Sequence, residues 1–195
     1  MLGQLPKTLE IRGKPFAIDT DYRSILQIIS ALNDVGLKDD EKVYILLRRL
    51  YTNPDSIPTD ALEDALRAAY DFIECGKHED NGRKPPKVVD WEKDEQMIFA
   101  AVNKVAGSEV RGVPYMHWWT FLGLYQSVDR EDLFSFVVSI RQKRAKGKKL
   151  EDYEKEFFAA NPELFRVDPA VNRKKEAEDY LAALYAELTG GGENS

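Results

Sequence analysis

Residues 116–121 read MHWWTF, which puts two tryptophans, a phenylalanine and one of the chain's two histidines into six positions. No other stretch constrains the fold as strongly, because rings of this kind each carry about 150–250 Å² of surface that folding must take out of water. Trp118, Trp119, Leu122 and Tyr125 recur at spacings of three and four, as on one side of a helix, while His117, Phe121 and Leu124 cover an adjacent stripe. Pro114 suits the first turn of that helix. A helix apolar around most of its circumference must be covered on several sides, at the centre of a helical domain or half in a partner interface. Neighbouring positions point about 100° apart, so at least one indole must turn inward. The predicted structural core is therefore Trp91, Trp118, Trp119, Phe121, Leu122 and Tyr125.

Around this hub the chain reads as mainly α: a single bundle-like domain of about seven or eight helices with a short N-terminal β-hairpin. Residues 8–11 (TLEI) and 16–19 (FAID) alternate around Arg12-Gly13-Lys14-Pro15, a turn with glycine, and offer Leu9, Ile11, Phe16 and Ile18 as one apolar face. A lone hairpin is marginal in water, so it must lean on helices or pair with another chain. Helices are expected at 21–35 (capped by Asp19 or Thr20, stopped by Gly36), 39–51, 58–74 and 90–106. In the last of these Trp91, Met97, Ile98, Ala101, Val102 and Val105 face inward, and Lys93, Asp94 and Glu95 outward. Further helices follow at 130–145, with Leu133, Phe134, Val137, Val138 and Ile140 inward, and at 150–160. An amphipathic helix is predicted at 168–188. The expected organisation is a helical domain over residues 1–160 with the hairpin (8–19) and a polar loop (76–89). A linker and C-terminal helix (161–189), packed on the domain, and a flexible tail (190–195) complete it.

Composition narrows the function. With 34 acidic against 28 basic residues the net charge is −6, which argues against a general nucleic-acid protein. A single cysteine, Cys75, excludes an internal disulfide and a cysteine-based zinc site. No basic stretch leads into an apolar run at Met1 and no 18 consecutive residues are apolar, so a soluble chain that stays in the cytoplasm and makes no membrane contact is expected.

Catalytic patterns are sparse. His117 has no nucleophile or second structured histidine for company and is expected to bond a backbone carbonyl or a carboxylate such as Asp94, while His78 lies in the polar loop. Asp90, Asp94 and Glu95, with Glu79 and Asp80 upstream, are the nearest approach to a metal-binding carboxylate cluster and keep a metal-dependent hydrolase as one alternative. Their spacing is equally that of an exposed helix face. The basic run Arg141, Lys143, Arg144, Lys146, Lys148 and Lys149 keeps nucleic-acid binding as another. A helix end attracts cations anyway, and the acidic residues 151–156 are placed to neutralise the run in cis. No cofactor motif is present, and no catalytic, cofactor-binding or metal-binding residue is assigned. Candidate partner-binding residues are Tyr180, Leu181, Leu184, Tyr185 and Leu188 on the terminal helix, and Arg141, Lys143 and Arg144.

Together with residues 5–21 (LPKTLEIRGKPFAIDTD), 90–101 (DWEKDEQMIFAA) and the basic helix end at 139–150, the MHWWTF segment resembles the small phage proteins called gp-fifteen. These are encoded between the tail-tube and tape-measure genes of long-tailed phages and prophages of Gram-positive bacteria. The resemblance covers Leu5 to Phe158 and fades at the terminal helix. It implies a non-enzymatic tail assembly chaperone that keeps the tape-measure protein soluble while tail-tube subunits polymerise around it. Such a protein acts in the host cytoplasm and is absent from the mature virion. The partners implied are the tape-measure protein and the tail-tube protein. Self-association is also expected, through the open edges of the hairpin or the stripe of the terminal helix, as a homo-oligomer.

Overall fold

The hairpin at the N-terminus turns more tightly than its sequence implies. In a computed structural model that describes residues 3–76 and 88–165, strand β1 (Thr8–Ile11) pairs antiparallel with β2 (Lys14–Ala17), Thr8 opposite Ala17 and Ile11 opposite Lys14. Only Arg12 and Gly13 remain for the loop, both at positive φ (49° and 76°). That is the two-residue turn whose twist suits a hairpin. Glycine adopts such a φ freely and arginine does not. Arg12 is held there by donating to the carboxylates of Asp64 (2.7 Å) and Asp60 (2.5 Å) and to the Asp60 carbonyl. Pro15 sits opposite Glu10, at a pair that exchanges no ladder hydrogen bonds in this register, so its missing N–H costs nothing.

Seven α-helices follow among the described residues: α1 (Tyr22–Asn33), α2 (Asp39–Leu50), α3 (Leu62–Ile73), α4 (Glu95–Ala106), α5 (Trp118–Gln126), α6 (Leu133–Ala145) and α7 (Asp152–Ala160). The mainly α class with an N-terminal hairpin is what the periodicity predicts. The described residues fall into two compact units. One holds residues 3–76 with His117–Trp119, and the other holds residues 88–116 and 120–165.

In the first unit α1 packs on α2, α2 on α3, and β1 on α3, so the hairpin leans on a helix of its own chain. Tyr22, Ile25, Ile28, Ile29 and Leu32 form the buried stripe of α1. Asp21, rather than Asp19 or Thr20, caps α1 by accepting from the Arg23 amide at 2.9 Å. The helix stops at Asn33 with Asp34 as its cap, two residues short of the expected end, and leaves Val35 77% exposed. After α2 the chain returns to the hairpin: Asp19 N–H donates to the Leu50 carbonyl and Thr52 N–H to Ala17. The buried Tyr51 hydroxyl donates to the Ala65 carbonyl at 2.6 Å.

In the second unit α4 packs on α6, and a short 3-10 turn at Pro162–Phe165 packs on both α6 and α7. Val137, Ile140 and Phe165 are buried at its centre, with Met97, Phe136 and Phe157 against them. A second aromatic group joins Trp91 to Tyr125 (centroids 4.9 Å apart), Tyr125 to Phe134 and Phe121 to Phe99. Several expected boundaries move. The fourth helix begins at Glu95 and not at Asp90, because the Asp90 carboxylate accepts from the amides of Glu92 and Lys93 and its carbonyl from Asp94, closing a separate turn. Helix α6 begins at Leu133, after a turn in which the Asp129 carboxylate accepts from the Glu131 amide. Leu133 and Val105, expected inside, are 50% and 36% exposed. Asp94, expected outside, is buried.

Residues Tyr180, Leu181, Leu184, Tyr185 and Leu188, with the rest of the expected terminal helix, lie outside the described residues, as do His78, Glu79 and Asp80.

Candidate functional site

The HWW tripeptide is a bracket. Helix α3 ends at Ile73, and the last four carbonyls of any helix lack an intrahelical donor. Here each of the four finds one. Tyr70 accepts from the Glu74 amide and Asp71 from the Gly76 amide, while Phe72 and Ile73 accept from the indole N–H groups of Trp119 and Trp118, each at 2.9 Å. The two adjacent rings thus cap one helix end with neighbouring donors, a use of the Trp-Trp pair that spacing alone does not reveal. Trp118 is buried, and its amide donates to the Thr20 carbonyl at 2.7 Å. Trp119 is half-buried and stacked on Phe72, with centroids 5.8 Å apart.

His117 completes the bracket. Its Nδ1 accepts the Trp119 amide at 3.0 Å, capping α5, so the ring proton sits on Nε2, which donates to the Pro6 carbonyl at 2.9 Å. The imidazole therefore meets a backbone carbonyl, as expected, and not a carboxylate. This cap also starts α5 at Trp118 and leaves Pro114 outside the helix, contrary to the first-turn role that its position implies. Of the predicted core, Trp118 and Phe121 are buried, whereas Trp91, Trp119, Leu122 and Tyr125 are half-buried. Burial pushes the Tyr125 hydroxyl up to about 12, with the Asp94 charge adding to it.

The carboxylates and the basic run meet in a way the sequence reading does not foresee. Asp94 and Arg141 form a bidentate ion pair, Nη1 to Oδ2 at 2.6 Å and Nη2 to Oδ1 at 2.8 Å, with side chains 1% and 5% exposed. Arg141 also donates to the carbonyls of Val88 (2.9 Å) and Leu164 (3.0 Å from Nε, with Nη2 as a second donor). One guanidinium so ties the approach to α4, α6 and the Pro162–Phe165 turn together. Asp90 and Asp94 are buried, but Glu95 is exposed, and among the described residues no three histidine, cysteine or acidic side chains converge to hold a metal ion. Arg141, proposed for a partner, is therefore an interior residue. Lys143 donates to the buried Glu154 carboxylate at 2.6 Å, and this hydrogen bond holds the Glu154 carboxyl below its ordinary range. Arg144 is exposed with its guanidinium 4.1 Å above the Phe158 ring.

A family model described as Bacteriophage Gp15 protein matches residues 1–165. The chain belongs to that family. No curated protein and no solved structure matches it. The described part of this Gp15 protein carries no helix long and apolar enough to cross a membrane. Its outer face carries large apolar side chains instead. Leu133 is 50% and Tyr153 60% exposed, and Tyr153 stacks on Phe136, which stands one turn from Leu133 on α6. The three form an apolar strip along α6 and α7. On the first unit Tyr44 is exposed beneath the Arg48 guanidinium, and both lie on the outer side of α2.

Proposed function

We propose that this Gp15-family protein is a tail assembly chaperone that binds the tape-measure protein during tail morphogenesis and performs no chemistry. Membership of a phage family supports the setting, the cytoplasm of the infected host. The observation that carries the mechanism is the strip of Leu133, Phe136 and Tyr153, apolar surface presented on two helices of a chain whose net charge is −6. A chaperone for a long apolar partner needs both properties: area to cover the partner's helices, and enough net charge to keep the complex dispersed. Partner helices laid against the strip would bury Tyr153 and Leu133 while the HWW bracket and the Asp94–Arg141 pair hold the two units in shape.

Co-expression tests this reading. The cognate tape-measure protein should move from the insoluble to the soluble fraction when this chain is present, and Leu133→Asp with Tyr153→Asp should abolish the rescue while leaving the chain folded. A tape-measure protein no more soluble with the wild-type chain than without it would remove the support for this function.

A further inference from the structure

Six cations crowd the end of α6, and the structure divides them. Arg141 and Lys143 are consumed inside the unit by Asp94 and Glu154. Arg144, Lys146, Lys148 and Lys149 are exposed, and no ion pair to them exists among the described residues. The acidic start of α7 does not neutralise them: Glu154 faces Lys143 and Asp152 pairs with Lys155. The helix dipole accounts for little, since its attraction fades within the last turn and Lys148 and Lys149 lie beyond α6.

These charges are held on a fixed scaffold. Gly147 adopts the left-handed φ of 64° that lets the chain reverse, the Gly147 amide donates to Arg144 (3.0 Å), and the Lys148 amide donates to Lys143 (2.8 Å). The turn therefore fixes the backbone from which these lysines extend. Beside it the Arg144 guanidinium lies over the Phe158 ring, and Leu150 is half-buried, so the cations border apolar surface. A surface of this composition matches an amphipathic helix with carboxylates three and four residues apart. It matches a polyphosphate backbone less well, because a long anion runs on past so short a patch to meet the exposed Glu151, Asp152 and Glu156, whereas a helix can confine its carboxylates to one short stripe.

We infer that the turn at residues 144–149 is the docking site for an acidic helical segment of the tape-measure partner, an inference that rests on the chaperone reading above. The attraction is electrostatic at its centre, with Arg144 and Phe158 supplying the apolar border.

The test uses the full-length chain and overlapping fragments of the cognate tape-measure protein, measured by calorimetry. The best-retained fragment should carry clustered Asp and Glu. K146E/K148E/K149E should weaken its binding about tenfold or more, K146Q/K148Q/K149Q by less, and both variants should melt as the wild type does. Raising salt from about 0.05 M to about 0.5 M should weaken wild-type binding and hardly alter that of the charge-reversed chain. Three results would overturn the inference: equal binding by the charge-reversed chain, undiminished binding of a fragment whose Asp and Glu are changed to Asn and Gln, or a shift of duplex DNA that K146E/K148E/K149E abolishes. If the wild type retains no fragment at all, the chaperone reading falls together with this one.

Discussion

Replacing Arg141 with Met should be the most damaging single change in the second unit, and the structure indicates by how much. The substitution keeps the apolar stem and removes the guanidinium. Asp94 would then remain almost wholly buried with the Asp90 amide, at 2.9 Å, as its remaining identified donor. Breaking one side of a buried pair costs about 3–5 kcal/mol. The carbonyls of Val88 and Leu164 also lose a charged donor, at about 1 kcal/mol each if water does not replace it. A loss of about 5–7 kcal/mol is therefore expected, or about 3–5 kcal/mol where water replaces the donor at both carbonyls, in either case a large part of the about 5–15 kcal/mol that holds a domain. Arg141→Lys should recover part of this, since one ammonium cannot reach Asp94, Val88 and Leu164 together. The double variant Arg141→Met, Asp94→Leu should be more stable than Arg141→Met alone, because no charge is left buried without a partner. Urea denaturation at neutral pH, followed by far-UV circular dichroism, compares the wild type with these three variants and with Asp94→Leu alone. Were Arg141→Met to cost less than about 1 kcal/mol, or the double variant to cost as much as the sum of its single changes, the pair would not be the clasp that its geometry describes.

Three further outcomes are expected. Trp118→Ala should cost about 3–5 kcal/mol, and Trp118→Phe about 1–3 kcal/mol through the lost donor to Ile73; half-buried Trp119→Ala should cost less than Trp118→Ala, and thermal melts of the three decide the order. Glu154 is held below its ordinary value of 4.5 by Lys143 and then by the Glu151 amide, so its contribution is complete above pH 4.5 and is lost as the pH falls below it; Glu154→Gln should flatten the acid limb of a plot of melting temperature against pH. Burial raises Tyr125 to about 12 and Tyr51 higher, so this contribution is complete below pH 10 and is lost as the pH rises further; in an ultraviolet titration these two should lag until the chain unfolds, and Tyr125→Phe should remove one lagging group.

Much of the architecture could be read from the chain because its helices carry clean stripes. Tyr22, Ile25, Ile29 and Leu32 mark the inner side of α1, and Leu66, Ala69, Tyr70 and Ile73 that of α3, by spacing alone. The hairpin is legible from alternation, but its two-residue loop is not, since Arg12 stands there at a positive φ with contacts to Asp60 and Asp64, about 50 positions away. Apolar spacing misses a helix start where an Asp or His side chain bonds the backbone locally. Asp90 closes its own turn ahead of α4, and His117 caps α5.

The candidate site is less legible for a different reason: a charged residue on a helix is taken for surface unless its register with the buried stripe is followed. Asp94 stands four and seven residues before Ile98 and Ala101, and Arg141 stands four and seven after Val137 and Phe134, so each lies in register with a buried stripe. Opposite charges in register with two apolar stripes mark a buried pair, and the same register separates the cations paired inside the unit from those without an ion pair among the described residues. Arg141 completes an interior stripe, and Lys143 reaches Glu154 of α7. Lys146, Lys148 and Lys149 follow the last turn of α6, where no stripe continues. A run that reads as uniform in the sequence is thus two things, an internal clasp and a cationic turn, and among the described residues only the second is left without an ion-pair partner.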